Sequence, residues 1–299
     1  MTADNSTPQM HEEEVLVVDD TVRGLLEDQF PQWADRRLLR VADSGTDNAI
    51  YRLGDDLGLR LPRIQWAEAQ IEKECRWLPE LAAGLPTAVP VPLAEGRPGR
   101  GYPFPWLVYP WLEGTSLDRA AVDNWKVIAE DVAKFVLALG QLPPEDGPLP
   151  TRRGTPMAQF DEAVQWGISQ LNGVIDVDRA RQVWRNALEP GEWLGDPAWV
   201  HGDLLPGNIL IDQGRLSGII DWSCAGVGDP ACEAMLAWSL PTDARRVYRR
   251  ALGFDDATWA RARGWVVEQT VFFIPYYAKS LPFAVDQAMR RLSEALLDA

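Results

Sequence analysis

The chain has 299 residues, 46% of them apolar and 24% charged, a balance that excludes an intrinsically disordered, collagen-like or coiled-coil polypeptide. Its 44 acidic and 29 basic side chains give a formal charge of −15, which repels nucleic acid and anionic membrane surfaces and suits a cationic small-molecule ligand. At this length one large two-lobed domain with a sizeable core is expected.

Residues 1–14 are polar and acidic, lack the basic start and apolar run of a secretory signal, and are expected to be frayed. No stretch reaches 18 uninterrupted apolar residues, so no membrane-spanning helix is expected. Cys75, Cys224 and Cys232 form neither a paired framework nor a Cys-x-x-Cys metal spacing, as in a reduced, cytoplasmic protein.

Val22, Leu25, Leu26 and Phe30 recur at helical spacing behind the capping residues Asp19 to Thr21. Leu38 to Val41 reads as a strand, and residues 49–53 and 57–61 as a hairpin about Gly54-Asp55-Asp56 that Pro62 ends. A helix over 66–81 brings Ala67, Ile71, Glu74, Cys75 and Leu78 near one face. Proline-rich punctuation fills 86–105, and the strand Trp106 to Tyr109 then stops at Pro110. The boundary between lobes is expected there, giving an N-terminal lobe of residues 1–109 and a C-terminal lobe of residues 110–299. Helical periodicity continues over 124–140, 156–171, 177–187, 230–240, 244–252, 256–279 and 284–298, interrupted by short strands between 198 and 222. A small β-rich lobe followed by a larger helical lobe is an α+β arrangement.

The interruption holds the most specific pattern in the chain. His201-Gly202-Asp203 is followed after four residues by Asn208, which opens the apolar run Ile209-Leu210-Ile211; after a glycine turn, Leu216 to Ile220 leads to Asp221-Trp222. Asp203, Asn208 and Asp221 therefore stand at the ends of apolar strands, where a rigid scaffold can converge them. Phosphoryl transfer needs this set: a carboxylate to orient the acceptor hydroxyl and take its proton, and an amide oxygen with a second carboxylate to hold Mg²⁺ against the phosphates.

Protein kinases carry His-Arg-Asp, four residues, Asn, and then Asp-Phe-Gly. With Gly in place of Arg, Asp-Trp in place of Asp-Phe, and Gly228-Asp229-Pro230 beyond, this segment resembles the aminoglycoside and macrolide phosphotransferase family; the likeness runs weakly from about residue 40 to the C-terminus. The resemblance implies a bilobal protein-kinase-like fold with a β-rich nucleotide-binding lobe and a mainly helical catalytic lobe. It also implies Mg²⁺, ATP or GTP as donor, and a hydroxyl-bearing antibiotic as acceptor.

Further roles come from the same resemblance. Arg60 takes the place of a lysine that contacts the α/β-phosphates, a departure that alters the geometry because a guanidinium is a larger, planar donor. Arg60-Leu61-Pro62-Arg63 is similar to a run in the macrolide-modifying branch. Glu74 is the preferred partner of Arg60, and Glu72, on another face, the alternative. Ser44 stands in a short phosphate-covering loop. Tyr109 and Trp111 lie in the hinge that would meet the nucleobase, and Ile220 would cover it. His201 would orient the catalytic loop, and Asp229 would stabilise that segment. Late aromatic residues (Trp222, Trp238, Trp259, Trp265, Tyr276 and Tyr277) suit a sugar or macrolide face, although a core role is commoner. Glu233 and Glu268 are candidates for a substrate ammonium group. Two rival readings share the motif or some of it, namely a kinase of a metabolic alcohol (choline- or homoserine-like) and a nucleotide-binding pseudokinase. Neither a nucleic-acid nor a membrane partner is expected, and the protein is expected as a monomer or homodimer.

Overall fold

The computed structural model describes residues 13–41 and 47–298. The chain divides into two units, 1–83 with 88–112, and 84–87 with 113–299. The division follows Leu112 rather than Pro110 because Trp111 still donates its amide to Asp56 O at 2.8 Å, extending the strand pairing.

In the first unit, helix α1 (Asp19–Gln29) precedes strands β1 (Leu38–Arg40), β2 (Asn48–Leu53) and β3 (Leu57–Pro62), helix α2 (Glu68–Ala82), and strands β4 (Ala94–Gly96) and β5 (Trp106–Pro110). The strands form one antiparallel sheet in the order β1-β2-β3-β5-β4. One apolar cluster, including Val22, Leu25, Leu26, Tyr51, Leu53, Leu59 and Trp106, joins α1 to the sheet. All six residues of β3 are buried, so Arg60 is a charge inside a sheet and requires a partner.

In the second unit, β6 (Thr115–Ser116) leads to helices α3 (Trp125–Gly140), α4 (Asp161–Gln170) and α5 (Val177–Leu188). The segment with the polar motif then runs through β7 (Ala198–Val200), β8 (Ile209–Asp212), β9 (Arg215–Ile219) and β10 (Gly226–Gly228). Next come a 3₁₀ helix (Pro230–Ser239) and helices α6 (Thr242–Leu252), α7 (Asp256–Tyr277) and α8 (Pro282–Leu297). The helix expected over 230–240 is thus 3₁₀, capped by Asp229, whose carboxylate accepts from the Ala231 amide at 3.0 Å. Helix α7 buries residues all round because it packs against α5, α8 and the 3₁₀ helix.

The tryptophans offered as a substrate face are core instead: Trp222, Trp238, Trp259 and Trp265 are all buried, and only Tyr276 of that group is exposed. No helix among the described residues is long and apolar enough to cross a membrane, and all three cysteines are free.

Candidate active site

Strand β7 pairs antiparallel with β10, matching Val200 to Gly226, and β8 pairs with β9, matching Ile209 to Ile219. The first pairing closes the segment on itself; the second brings the residue after β9 back to the one before β8. Two hydrogen bonds complete this. Ile220 donates its amide to Asn208 O at 3.0 Å, and its carbonyl accepts from His201 Nε2 at 3.0 Å. The main chain at Asp221 is thereby fixed to the loop that carries Asp203 and Asn208.

His201 is fully buried, edge-on to Trp222 with ring centroids 5.0 Å apart. Burial lowers its pKa, and Nδ1 receives the Asp203 amide at 3.3 Å, so the ring is neutral with its proton on Nε2. It is a brace for the loop, with no nitrogen left for a metal. Gly202 has φ +76°, and a Cβ there would lie 2.8 Å from Cys224 O. That contact explains why this chain has glycine where protein kinases have arginine.

Asn208 Nδ2 donates both to Asp203 O (2.9 Å) and to Asp203 Oδ2 (3.1 Å). The amide group is therefore oriented, and Oδ1 is the atom left to face a cation. Asp221 adopts the left-handed conformation, φ +61°, which turns the chain sharply between β9 and the 3₁₀ turn Trp222–Cys224. An amide oxygen and a carboxylate are hard donors and fit Mg²⁺, which takes few protein ligands when phosphates complete its shell. Among the described residues no group of three or more His, Cys, Asp or Glu is placed to hold a metal ion.

In the first unit, Arg60 Nη1 pairs with Glu74 Oε1 and Nη2 donates to Gln70 Oε1 at 3.1 Å. Glu74 is buried on the apolar stripe of α2 with Ile71 and Leu78, whereas Glu72 is exposed; the partner is Glu74. Removing one member of so buried a pair strands the other. Arg60→Met is expected to destabilise the protein by about 3–5 kcal/mol, and the double variant with Glu74→Leu by much less, read from urea midpoints. Ser44 lies outside the described residues. Tyr109 lies opposite Gly58, where a Cβ would come within 2.6 Å of its ring. Trp111 is corrected as a backbone donor to a nucleobase, since its amide is spent on Asp56 O and its ring lies under the Arg52 guanidinium, 5.0 Å away.

The model of the phosphotransferase enzyme family matches residues 38–265, about three quarters of the chain. The chain belongs to that family. An aminoglycoside 3′-phosphotransferase of Streptomyces fradiae is 30% identical over 162 residues, covering 50% of this chain and 58% of the relative. The chain thus spans little more than half the length of that relative. Among solved structures, the GDP and kanamycin complex of an APH(2″) enzyme superimposes with a TM-score of 0.72 at 19% identity, over 92% of this chain and 97% of that one. A macrolide 2′-phosphotransferase from Brachybacterium faecium gives 0.61 at 22% identity, over 94% and 98%. This member of the family therefore has the α+β kinase-like fold of these enzymes.

Two expected substrate contacts are corrected. Glu233 is 1% exposed, and its Oε1 accepts the Gly202 amide at 2.9 Å, so it supports from within the loop that carries Asp203 and Asn208. Burial pushes its carboxyl up to about 7, partly offset by the Gly202 amide and the Cys232 thiol. Since this folded pKa lies above the ordinary 4.5, the proton is held more tightly in the folded state. The associated stability is complete below about pH 4.5 and disappears as the pH rises through about 7. Glu233→Gln, which keeps the acceptor oxygen, is expected to flatten that portion of the Tm-versus-pH curve; an unchanged slope would contradict it. Glu268 is likewise 1% exposed and pairs with Arg152, whose guanidinium lies 4.6 and 5.0 Å from the Phe160 and Phe272 rings. Asp229 is buried and paired with Arg261, Oδ2 to Nε 2.6 Å.

One residue at the site carries no signal in its own stretch of sequence. Arg153 donates through Nε to Gly202 O at 2.6 Å, and its Nη2 pairs with Asp203 Oδ1. The neighbouring charges of Asp203 and Glu268 raise its pKa in spite of burial.

Proposed function

We propose that this phosphotransferase moves the γ-phosphoryl group of ATP or GTP, with Mg²⁺, to a hydroxyl of a small antibiotic of the aminoglycoside or macrolide type, in the cytoplasm, and so confers resistance. The observation that carries the reading is the single hydrogen-bonded assembly of Asp203, Asn208 and Ile220-Asp221. It supplies a fixed carboxylate, an oriented amide oxygen and a second carboxylate within one loop system.

In this reading Asp203 accepts a hydrogen bond from the acceptor hydroxyl, aims its oxygen at the phosphorus, and takes its proton as the bond forms. Asn208 Oδ1 and the Asp221 carboxylate would hold Mg²⁺. When bound, the ion neutralises charge on the phosphate oxygens. Arg60, kept in place by Glu74, serves the donor phosphates. At the hinge, Val108 O accepts from Leu93, and alternation along β5 points Pro110 O to the same edge, past the end of β4. That carbonyl, beside Tyr109, is assigned to the nucleobase edge in place of the Trp111 amide, and Ile220 is assigned to the base separately.

The test is a transfer assay with Mg·ATP and Mg·GTP against kanamycin, a macrolide, choline and homoserine, read as the mass gain of one phosphoryl group. Gain on kanamycin or the macrolide supports the reading. Gain on choline or homoserine alone would move the chain to metabolism, and nucleotide binding without any turnover would make it a pseudokinase.

A further inference from the structure

The carboxylate that the proposed reaction uses is held at both oxygens. Asn208, five residues along the same loop, takes Oδ2; Arg153, fifty residues earlier, takes Oδ1. The Arg153 side chain is 13% exposed and that of Asp203 23%, so the pair is shielded without being sealed.

Arg153 reaches Asp203 because its own backbone is seated on a track. The strap 148–155 runs over residues 223–229 and is fastened by Val227 N to Pro148 O (2.7 Å), Thr151 Oγ1 to Ser223 O (3.3 Å) and Asp229 N to Gly154 O (2.8 Å). Gly226 and Gly228 let the strap lie this close to the track. A Cβ at Gly228 would stand 2.3 Å from Gly154 O, and one at Gly226 2.4 Å from Pro150 N, so any side chain at either would lift the strap. Next to Arg153, Arg152 pins the strap to α7 through Glu268. An arginine that served only to neutralise a surface acid would need none of this.

We propose that Arg153 is a positioning residue for phosphoryl transfer: held by the strap, it fixes the rotamer of Asp203 from the oxygen that Asn208 does not reach. This rests on the role proposed above for Asp203. A carboxylate with only one oxygen held can swing about its Cβ–Cγ bond, and misplacement by about 1 Å costs roughly a hundredfold in rate.

The experiment compares Arg153→Met, Arg153→Lys, Asp203→Ala and the Arg153→Met/Asp203→Ala pair. Mg·ATP or Mg·GTP is the donor, and water or the acceptor found in the panel receives the phosphoryl group. Arg153→Met is expected to lower kcat about a hundredfold while nucleotide Kd and Tm stay close to wild type, with Arg153→Lys recovering some of the loss. In the Asp203→Ala background the Arg153→Met change should alter kcat by no more than about twofold, because the carboxylate it serves is gone. Equal proportional losses in both backgrounds, or wild-type kcat in Arg153→Met, would overturn the proposal. Should Arg153→Met fail to fold, Arg153→Lys decides: an unchanged kcat with the retained ammonium, or a loss that persists in the Asp203→Ala background, overturns it as well. If the wild-type protein neither binds nor turns over triphosphate, the parent reading fails and not this assignment alone.

Discussion

Asp203→Ala is expected to lower kcat by about 10²–10⁴-fold, the range general-base and orienting groups contribute, while nucleotide Kd changes little. The separation follows from the geometry. Asp203 touches Arg153, Asn208 and the loop backbone, and its carboxylate is not among the residues assigned to the metal or the donor phosphates. The variant leaves the main-chain frame in place, since the bonds from Arg153 to Gly202 O, from the Gly202 amide to Glu233, and between His201 and Ile220 do not involve the Asp203 side chain. Single-turnover kinetics with saturating nucleotide distinguish loss of chemistry from loss of binding. Normal turnover would remove Asp203 from its role.

Asp221→Asn is expected to act on the other half of the reaction. Asparagine tolerates the left-handed conformation found at this position, φ +61°, so the backbone turn should survive while the charge is lost. Even residues in a metal's outer shell change affinity by 10–100-fold, so loss of a direct carboxylate ligand should raise the Mg²⁺ concentration needed for nucleotide binding by at least about a hundredfold. Titration calorimetry of a non-hydrolysable triphosphate over a range of Mg²⁺ concentrations reads this directly. An unchanged magnesium dependence would show that Asp221 is not a ligand.

The motif residues are legible in the sequence because they interrupt apolar strands: a polar residue at the end of Ile209-Leu210-Ile211 or Leu216 to Ile220 can only be there to turn the chain or to work. Glu74 is legible as well, through its place on the apolar stripe of α2. Arg153 is not, since its meaning depends on a strap laid over residues 223–229, a contact between segments some seventy residues apart that no local period encodes. Its one trace is Gly226-x-Gly228, two glycines on one side of a strand that a second backbone crosses.

Glu233 and Glu268 defeat the sequence reading for a shared reason. Charge ordinarily signals exposure, yet Glu233 sits within the otherwise apolar run Cys232 to Trp238 and Glu268 directly follows the apolar Trp265 to Val267, and both are buried. A lone acid in such a run is better read as an internal partner, here for the Gly202 amide and for Arg152. Strands β4 and β10 leave no pattern to detect because three residues carry no alternation, and because the first lies in a proline-rich stretch.

The central claim is that Asp203, Asn208 and Asp221 act together on one magnesium-bound triphosphate. A crystal structure of the protein with Mg²⁺ and a non-hydrolysable ATP or GTP analogue tests it most directly. The ion is expected on Asn208 Oδ1 and the Asp221 carboxylate, with the terminal phosphate turned toward Asp203. An ion or nucleotide bound away from these three side chains would contradict it.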